Sequence, residues 1–164
     1  GKSAYGYYGL GDIMVFLFFG CLSVLGVFTL YGMPFELITL LPAFTIGLWS
    51  VAVLNLNNMR DMVNDAASLK RTIVVQLGPR RAKYYHFSLI LIGLSIWTIL
   101  NSVYIYLNDN WVFLIGIFPA LFLYPHLKKV MEIDDPSMYD PELKKVALIT
   151  FSSSILFATS LFLV

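Results

Sequence analysis

Five apolar runs, near residues 12–31, 37–58, 84–106, 111–127 and 141–164, leave this chain few ways to fold. Each has the roughly 17–25 residues a helix needs to cross a hydrocarbon core of about 30 Å. Inside such a core no water satisfies the backbone, so each run must be a helix with its own hydrogen bonds. Only 13% of the residues are charged and 59% are hydrophobic, whereas a soluble domain carries about 25% charge. The reading is an all-α, polytopic transmembrane bundle of five spans, a single membrane domain over residues 1–164.

Polar punctuation separates the spans. Gly1–Gly11 reads as an interfacial lead-in, with Tyr5, Tyr7 and Tyr8 suited to the headgroup level. The opening Gly1-Lys2-Ser3-Ala4 lacks a methionine and is taken to begin part of a longer or processed protein. Gly20, Ser23 and Gly26 favour close helix packing in the first span. Gly78-Pro79 breaks the chain before the third span, and Asn108-Asp109-Asn110 makes a tight turn after it. Pro119 and Pro125 should bend or end the fourth. Asp140-Pro141-Glu142 reads as an N-cap, a first-position proline and a first-turn acid. Cys21 is alone, which rules out a disulfide framework and suggests a small buried packing residue.

The basic residues fix an orientation. Lys2, then Arg60, Lys70, Arg71, Arg80, Arg81 and Lys83, then Lys128, Lys129, Lys144 and Lys145 fall on alternate connections. The connections at 32–36 and 107–110 carry none. The positive-inside rule then puts the N-terminus, a loop at 59–83 and the 128–145 connection in the cytoplasm.

One stretch concentrates the chemistry, from Asn55 to Asp65 with Lys70-Arg71-Thr72 after it. If the second helix continues through it, residues four apart stack, so Asn57, Asp61 and Asp65 share a stripe. Two carboxylates one turn apart, backed by Asn57 and Asn58, suit Mg²⁺, which is held by a few carboxylates plus substrate phosphates. Arg60, Lys70 and Arg71 supply cations for phosphate oxygens. Charges just beyond an apolar helix are also the ordinary way a span ends, and composition alone leaves both readings open. Residues 66–82 read as a basic connector, and the loop after the second span, dense in chargeable and small residues from Asp61 to Thr72, is expected to fold into a short helix and cap over this cluster.

The pattern Asn57-Asn58-x-Arg60-Asp61-x-x-x-Asp65-x-x-x-x-Lys70-Arg71-Thr72, followed by Leu77-Gly78, closely resembles the second aspartate-rich motif of the UbiA-type membrane prenyltransferases. The opening Tyr5-Gly6-Tyr7-Tyr8-Gly9-Leu10-Gly11-Asp12 resembles the 1,4-dihydroxy-2-naphthoate polyprenyltransferase branch of menaquinone biosynthesis, where position 12 is commonly Glu. Leu69 stands where the family usually has Gly. The resemblance implies the C-terminal half of a nine-helix fold, its first aspartate-rich motif lying in a missing N-terminal half. It further implies prenyl transfer from a polyprenyl diphosphate to an aromatic acceptor within the lipid bilayer. Asp61 and Asp65 would hold Mg²⁺, Asn57 and Asn58 would orient metal or diphosphate, and Arg60, Lys70 and Arg71 would bind phosphate. The fragment alone should be inactive, and no nucleic-acid partner is expected.

Other readings remain in view. A quinone, haem or chlorophyll branch of the same family would share the motif. A transporter fragment or other non-enzymatic bundle would place its strong polar groups in mid-membrane. A CDP-alcohol phosphotransferase would need an Asp-Gly and Ala-Arg constellation that Asn55–Arg60 lacks. His86 and His126, forty residues apart, read as packing or interface residues. Glu132, Asp134, Asp135, Asp140 and Glu142 read as a solvated acidic run balanced by neighbouring lysines, with a second metal site as the alternative.

Overall fold

Gly20 and Gly47 bring the first two long helices into backbone contact: a Cβ on Gly20 would lie 2.6 Å from the Gly47 Cα and from the Ala43 carbonyl oxygen. Small residues allow this approach where lipid offers no hydrophobic drive for association. The computed structural model describes residues 5–164 and, for Tyr5, the backbone only; Lys2 and the rest of the opening tetrapeptide lie outside the described residues. A 3₁₀ turn at Tyr5–Tyr8 precedes α1 (Gly11–Leu30), α2 (Leu37–Ala67), the short α3 (Ile73–Leu77), α4 (Pro79–Asn108), α5 (Trp111–Glu132) and α6 (Pro136–Phe162). The five long helices are each apolar enough to cross a membrane, and no strand occurs among the described residues.

The second helix is the axis of the bundle. It packs against α1, α4 and α6, while α5 fills the space between α4 and α6. Aromatic rings knit the far end: Trp49 meets Trp97 at a centroid distance of 5.9 Å, and Trp97 meets Phe157 at 5.3 Å. The buried Trp97 indole donates to the Gly116 carbonyl at 2.9 Å, which satisfies its one polar atom. Outward-facing Phe18, Phe19, Phe118, Leu121 and Phe151 are exposed, as a lipid-facing surface requires. α1 is the least covered helix, with 6% of its apolar window buried against 39% in α2.

Several boundaries differ from the sequence reading. The 59–83 segment is not a loop: α2 continues to Ala67, α3 occupies Ile73–Leu77 and α4 begins at Pro79. Hydropathy marks where lipid ends, but the backbone ladder continues past it because Arg60-Asp61-Met62-Val63-Asn64 remains compatible with helix. The N-cap before the last helix is Asp135, whose carboxylate accepts from the Ser137 N–H at 3.0 Å, with Pro136 next to it. The same Asp-Pro signal at 140–141 lies inside the helix instead. Cys21 is half-buried rather than enclosed. Phe118–Phe122 tightens to a 3₁₀ turn around Pro119, which has no N–H for the helical ladder, whereas Pro125 lies in the first turn of the α-helical stretch Leu123–Glu132 and does not end it.

Candidate functional site

Because α2 runs on past its apolar part, Asn57, Arg60 and Asp61 project from a regular helix and meet one another. Arg60 donates from Nε to Asp61 Oδ1 and from Nη2 to Asp61 Oδ2, both at 2.9 Å, which is a two-pronged pair. The same guanidinium donates to Asn57 Oδ1 at 2.8 Å and to Asp140 Oδ1 on α6 at 2.5 Å. Asn57 Nδ2 reaches Asp61 Oδ2 at 3.5 Å. One arginine therefore organises the first two members of the stripe, Asn57 and Asp61, and ties them to the last helix.

Asp65, the next residue of the stripe, is buried and held differently. After Ala67 the chain makes a Schellman turn: the Lys70 N–H bonds the Asp65 carbonyl at 2.9 Å and the Leu69 N–H bonds that of Ala66 at 3.1 Å. Leu69 takes the left-handed position of that turn, at φ +60°, where Gly is the usual residue. The turn carries Lys70 back over the helix end, so that Nζ lies 3.1 Å from both Asp65 carboxylate oxygens. The Gly6–Gly11 lead-in closes the side: the Arg71 N–H donates to the Tyr7 carbonyl at 3.2 Å. Thr72 then caps α3, its hydroxyl accepting from the Val75 N–H at 3.2 Å.

Two spaces adjoin these residues. An apolar groove of about 570 Å³ between α1, α2 and α6 is lined by Val15, Phe19, Leu54, Phe151 and others, with Asn57 among its few polar edges. A smaller cavity of about 200 Å³ holds Asn58, Lys70, Thr72 and Asp12. Of the residues singled out from sequence, Asn57, Arg60 and Asp61 form one group, and Asp65 with Lys70 a second. Asn58 faces the small cavity. Arg71 contributes its backbone to the lead-in contact, and its exposed side chain makes no ion pair among the described residues.

Asp61 and Asp65 each carry a cationic partner, and no cluster of three or more acids, histidines or cysteines among the described residues could hold an ion by itself. Two hard-oxygen carboxylates on one stripe still fit Mg²⁺, because that ion is commonly held by one or two carboxylates with substrate phosphates and water completing the shell.

Sequence reasoning did not foresee a buried chain elsewhere in the bundle. His86 on α4 and His126 on α5, both fully buried, approach Nε2 to Nε2 at 2.8 Å. His126 Nδ1 lies 2.6 Å from Glu142 Oε2 on α6, and Lys145 Nζ lies 2.6 Å from Glu142 Oε1. Glu142, read as part of a solvated run, is thus buried. Its position at the start of an apolar helix was visible in the sequence, but its partner was not.

The fold and site define a polytopic membrane protein that presents a paired-carboxylate, cation-rich stripe beside an apolar groove. Residues 3–140 match the UbiA prenyltransferase family, and the chain belongs to that family. It is 36% identical over 163 residues to the 1,4-dihydroxy-2-naphthoate octaprenyltransferase of Escherichia coli (strain K12), covering 99% of this chain and 52% of that protein. The protein of the same description from Haemophilus influenzae is 34% identical over 161 residues, covering 98% of this chain and 51% of its own. UbiA prenyltransferase domain-containing protein 1 of Mus musculus is 28% identical over 102 residues, covering 62% of this chain and 30% of its own. The chain thus spans about half the length of the first two of these relatives. No solved structure matches.

Proposed function

We propose that this chain forms the C-terminal half of a membrane prenyltransferase that moves a polyprenyl group from its diphosphate to an aromatic acceptor, 1,4-dihydroxy-2-naphthoate, in menaquinone biosynthesis. The observation that carries this reading is the adjacency of two unlike surfaces. The Asn57–Asp61–Asp65 stripe, with Arg60 and Lys70 on it, adjoins a long apolar groove whose edge includes Asn57. An amphiphile with an anionic head and an isoprenoid tail is complementary to both. The two relatives matched over nearly the whole chain bear the naphthoate octaprenyltransferase description, which supports this acceptor over those of other branches.

Mg²⁺, held by Asp61 and Asp65, would neutralise the leaving diphosphate and so assist its departure. The protein's own part is preorganised charge. Arg60 and Lys70 are already held in place by the carboxylates they pair with, and each keeps an N–H beyond those bonds for a phosphate oxygen, so no free side chain has to be ordered. The low-dielectric groove excludes water from the allylic carbon as it gains cationic character. The opposing half of the site would come from the N-terminal half of the enzyme, on the cytoplasmic side of a bacterial membrane.

The test is transfer of a radiolabelled prenyl group in membranes containing the complete enzyme, in which this chain is joined to the half carrying the opposing motif. Label should appear in 1,4-dihydroxy-2-naphthoate, need Mg²⁺, and be absent with this chain alone. Equal or better transfer to 4-hydroxybenzoate would contradict the branch, and no transfer to any aromatic acceptor would contradict the function.

A further inference from the structure

Asp12, in the first turn of α1, is a buried carboxylate that diphosphate binding does not use. A first-turn acid complements the helix dipole from the surface and needs no burial for that. This one is only 6% exposed, and its Oδ2 accepts the Tyr85 hydroxyl of α4 at 2.9 Å, from a residue 73 positions away. Oδ1 has no side-chain donor among the described residues. Asp12 also lines two separate spaces. One is the cavity of about 200 Å³ that holds Asn58, Lys70 and Thr72. The other is an apolar space of about 220 Å³ bounded by Phe16, Leu48, Val51, Tyr85 and Leu89. A carboxylate oxygen thus stands between the motif that would hold the diphosphate and an apolar space of a size for a flat ring.

We propose that Asp12 accepts the hydroxyl proton of the aromatic acceptor, with Tyr85 as the positioning residue that fixes its carboxylate. This inference rests on the prenyl-transfer reading above. The allylic C–O bond breaks with its electron pair leaving on the diphosphate. The acceptor ring carbon forms the new C–C bond, and the ring hydroxyl gives its proton to Asp12, leaving a ketone. The attacked carbon then releases its own substituent, either a proton, taken up by the departed diphosphate, or a carboxylate as CO₂. The electron pair returns to the ring, and Asp12 hands the proton back to the oxygen. Positioned proton acceptors contribute about 10²–10⁴ in rate, so the role is large enough to measure.

The experiment measures steady-state transfer by the complete enzyme carrying Asp12→Asn, Asp12→Glu or Tyr85→Phe, with binding of the Mg²⁺–prenyl diphosphate followed separately. Asp12→Asn should lower kcat about 10²-fold or more with diphosphate affinity unchanged. Asp12→Glu should recover much of that loss, and Tyr85→Phe should lose several-fold in kcat alone. With an acceptor whose hydroxyl is methylated, parent and Asp12→Asn should be equally slow, which a merely structural role would not produce. Normal kcat in Asp12→Asn overturns the role while leaving prenyl transfer standing. Loss of diphosphate binding in both Asp12 variants overturns it in favour of a structural carboxylate. Absence of transfer by the parent enzyme overturns the function and this role together.

Discussion

His86 and His126, forty residues apart in the chain, lie Nε2 to Nε2 at 2.8 Å in the interior of the bundle, and Glu142 completes the row from the other side of His126. Three helices are joined by groups that would be costly to bury alone. Replacing Glu142 with Leu should destabilise the folded protein by about 1–3 kcal/mol, because it strands the imidazole nitrogen. Glu142→Gln, which still offers an oxygen, should cost less. Unfolding of both variants in detergent by denaturant titration checks this. An unchanged midpoint for Glu142→Leu would mean the row contributes nothing to stability.

The Gly20–Gly47 crossing predicts a sharp positional contrast. Gly20→Ala puts a methyl 2.6 Å from backbone atoms of α2, which cannot yield as a flexible side chain could. Overpacking of this kind costs about 1–3 kcal/mol. Gly26→Ala meets nothing nearer than Leu22 Cδ1 at 3.8 Å and should be neutral. Equal melting temperatures for the two variants would contradict this packing.

Leu69 offers a stabilising substitution. Its φ of +60° places a Cβ where L-residues are strained by about 1–2 kcal/mol, and its side chain is 82% exposed, so little packing is lost on removal. Leu69→Gly should raise stability by a few tenths to about 1 kcal/mol after the extra freedom of the unfolded chain is counted. A lower melting temperature would show that the leucine makes a contact of its own.

These cases show what the sequence reveals and what it hides. The five spans are legible because each exceeds the length of an ordinary buried helix and carries almost no charge. The stripe of Asn57, Asp61 and Asp65 follows from helix periodicity alone, and Leu69 already stands out as a departure from the family's glycine. The ends of the helices are not legible, since apolarity reports the lipid boundary while α2 continues to Ala67. Two Asp-Pro pairs compete for one N-cap, and only the turn at Ile133–Ser137 decides for Asp135. Arg60–Asp140, His86–His126 and Asp12–Tyr85 join residues 80, 40 and 73 positions apart. Such pairings are set by which helices become neighbours, which no local pattern contains.

The orientation inferred from the basic residues yields its own expectation. Single cysteines introduced at Asp109 and Arg80, in a Cys21-free background, should label from opposite sides of the membrane. The position 80 thiol should be reached from the cytoplasm and the position 109 thiol from outside. The reverse pattern would invert the bundle and place the carboxylate stripe on the wrong face for a cytoplasmic substrate.

The paired carboxylates carry the central claim. Asp61→Asn and Asp65→Asn are nearly isosteric changes at the end of α2, so each variant should stay folded in the complete enzyme. Removing one preorganised electrostatic partner costs on the order of 10²–10³ in rate, and raised Mg²⁺ should restore part of it if metal affinity is what is lost. The decisive measurement is radiolabelled prenyl transfer by each variant in membranes at matched expression. A loss of about 10²-fold or more in both, relieved by Mg²⁺, is the predicted result. Near-normal transfer by either variant would contradict the account and reduce these aspartates to the charged end of a membrane helix.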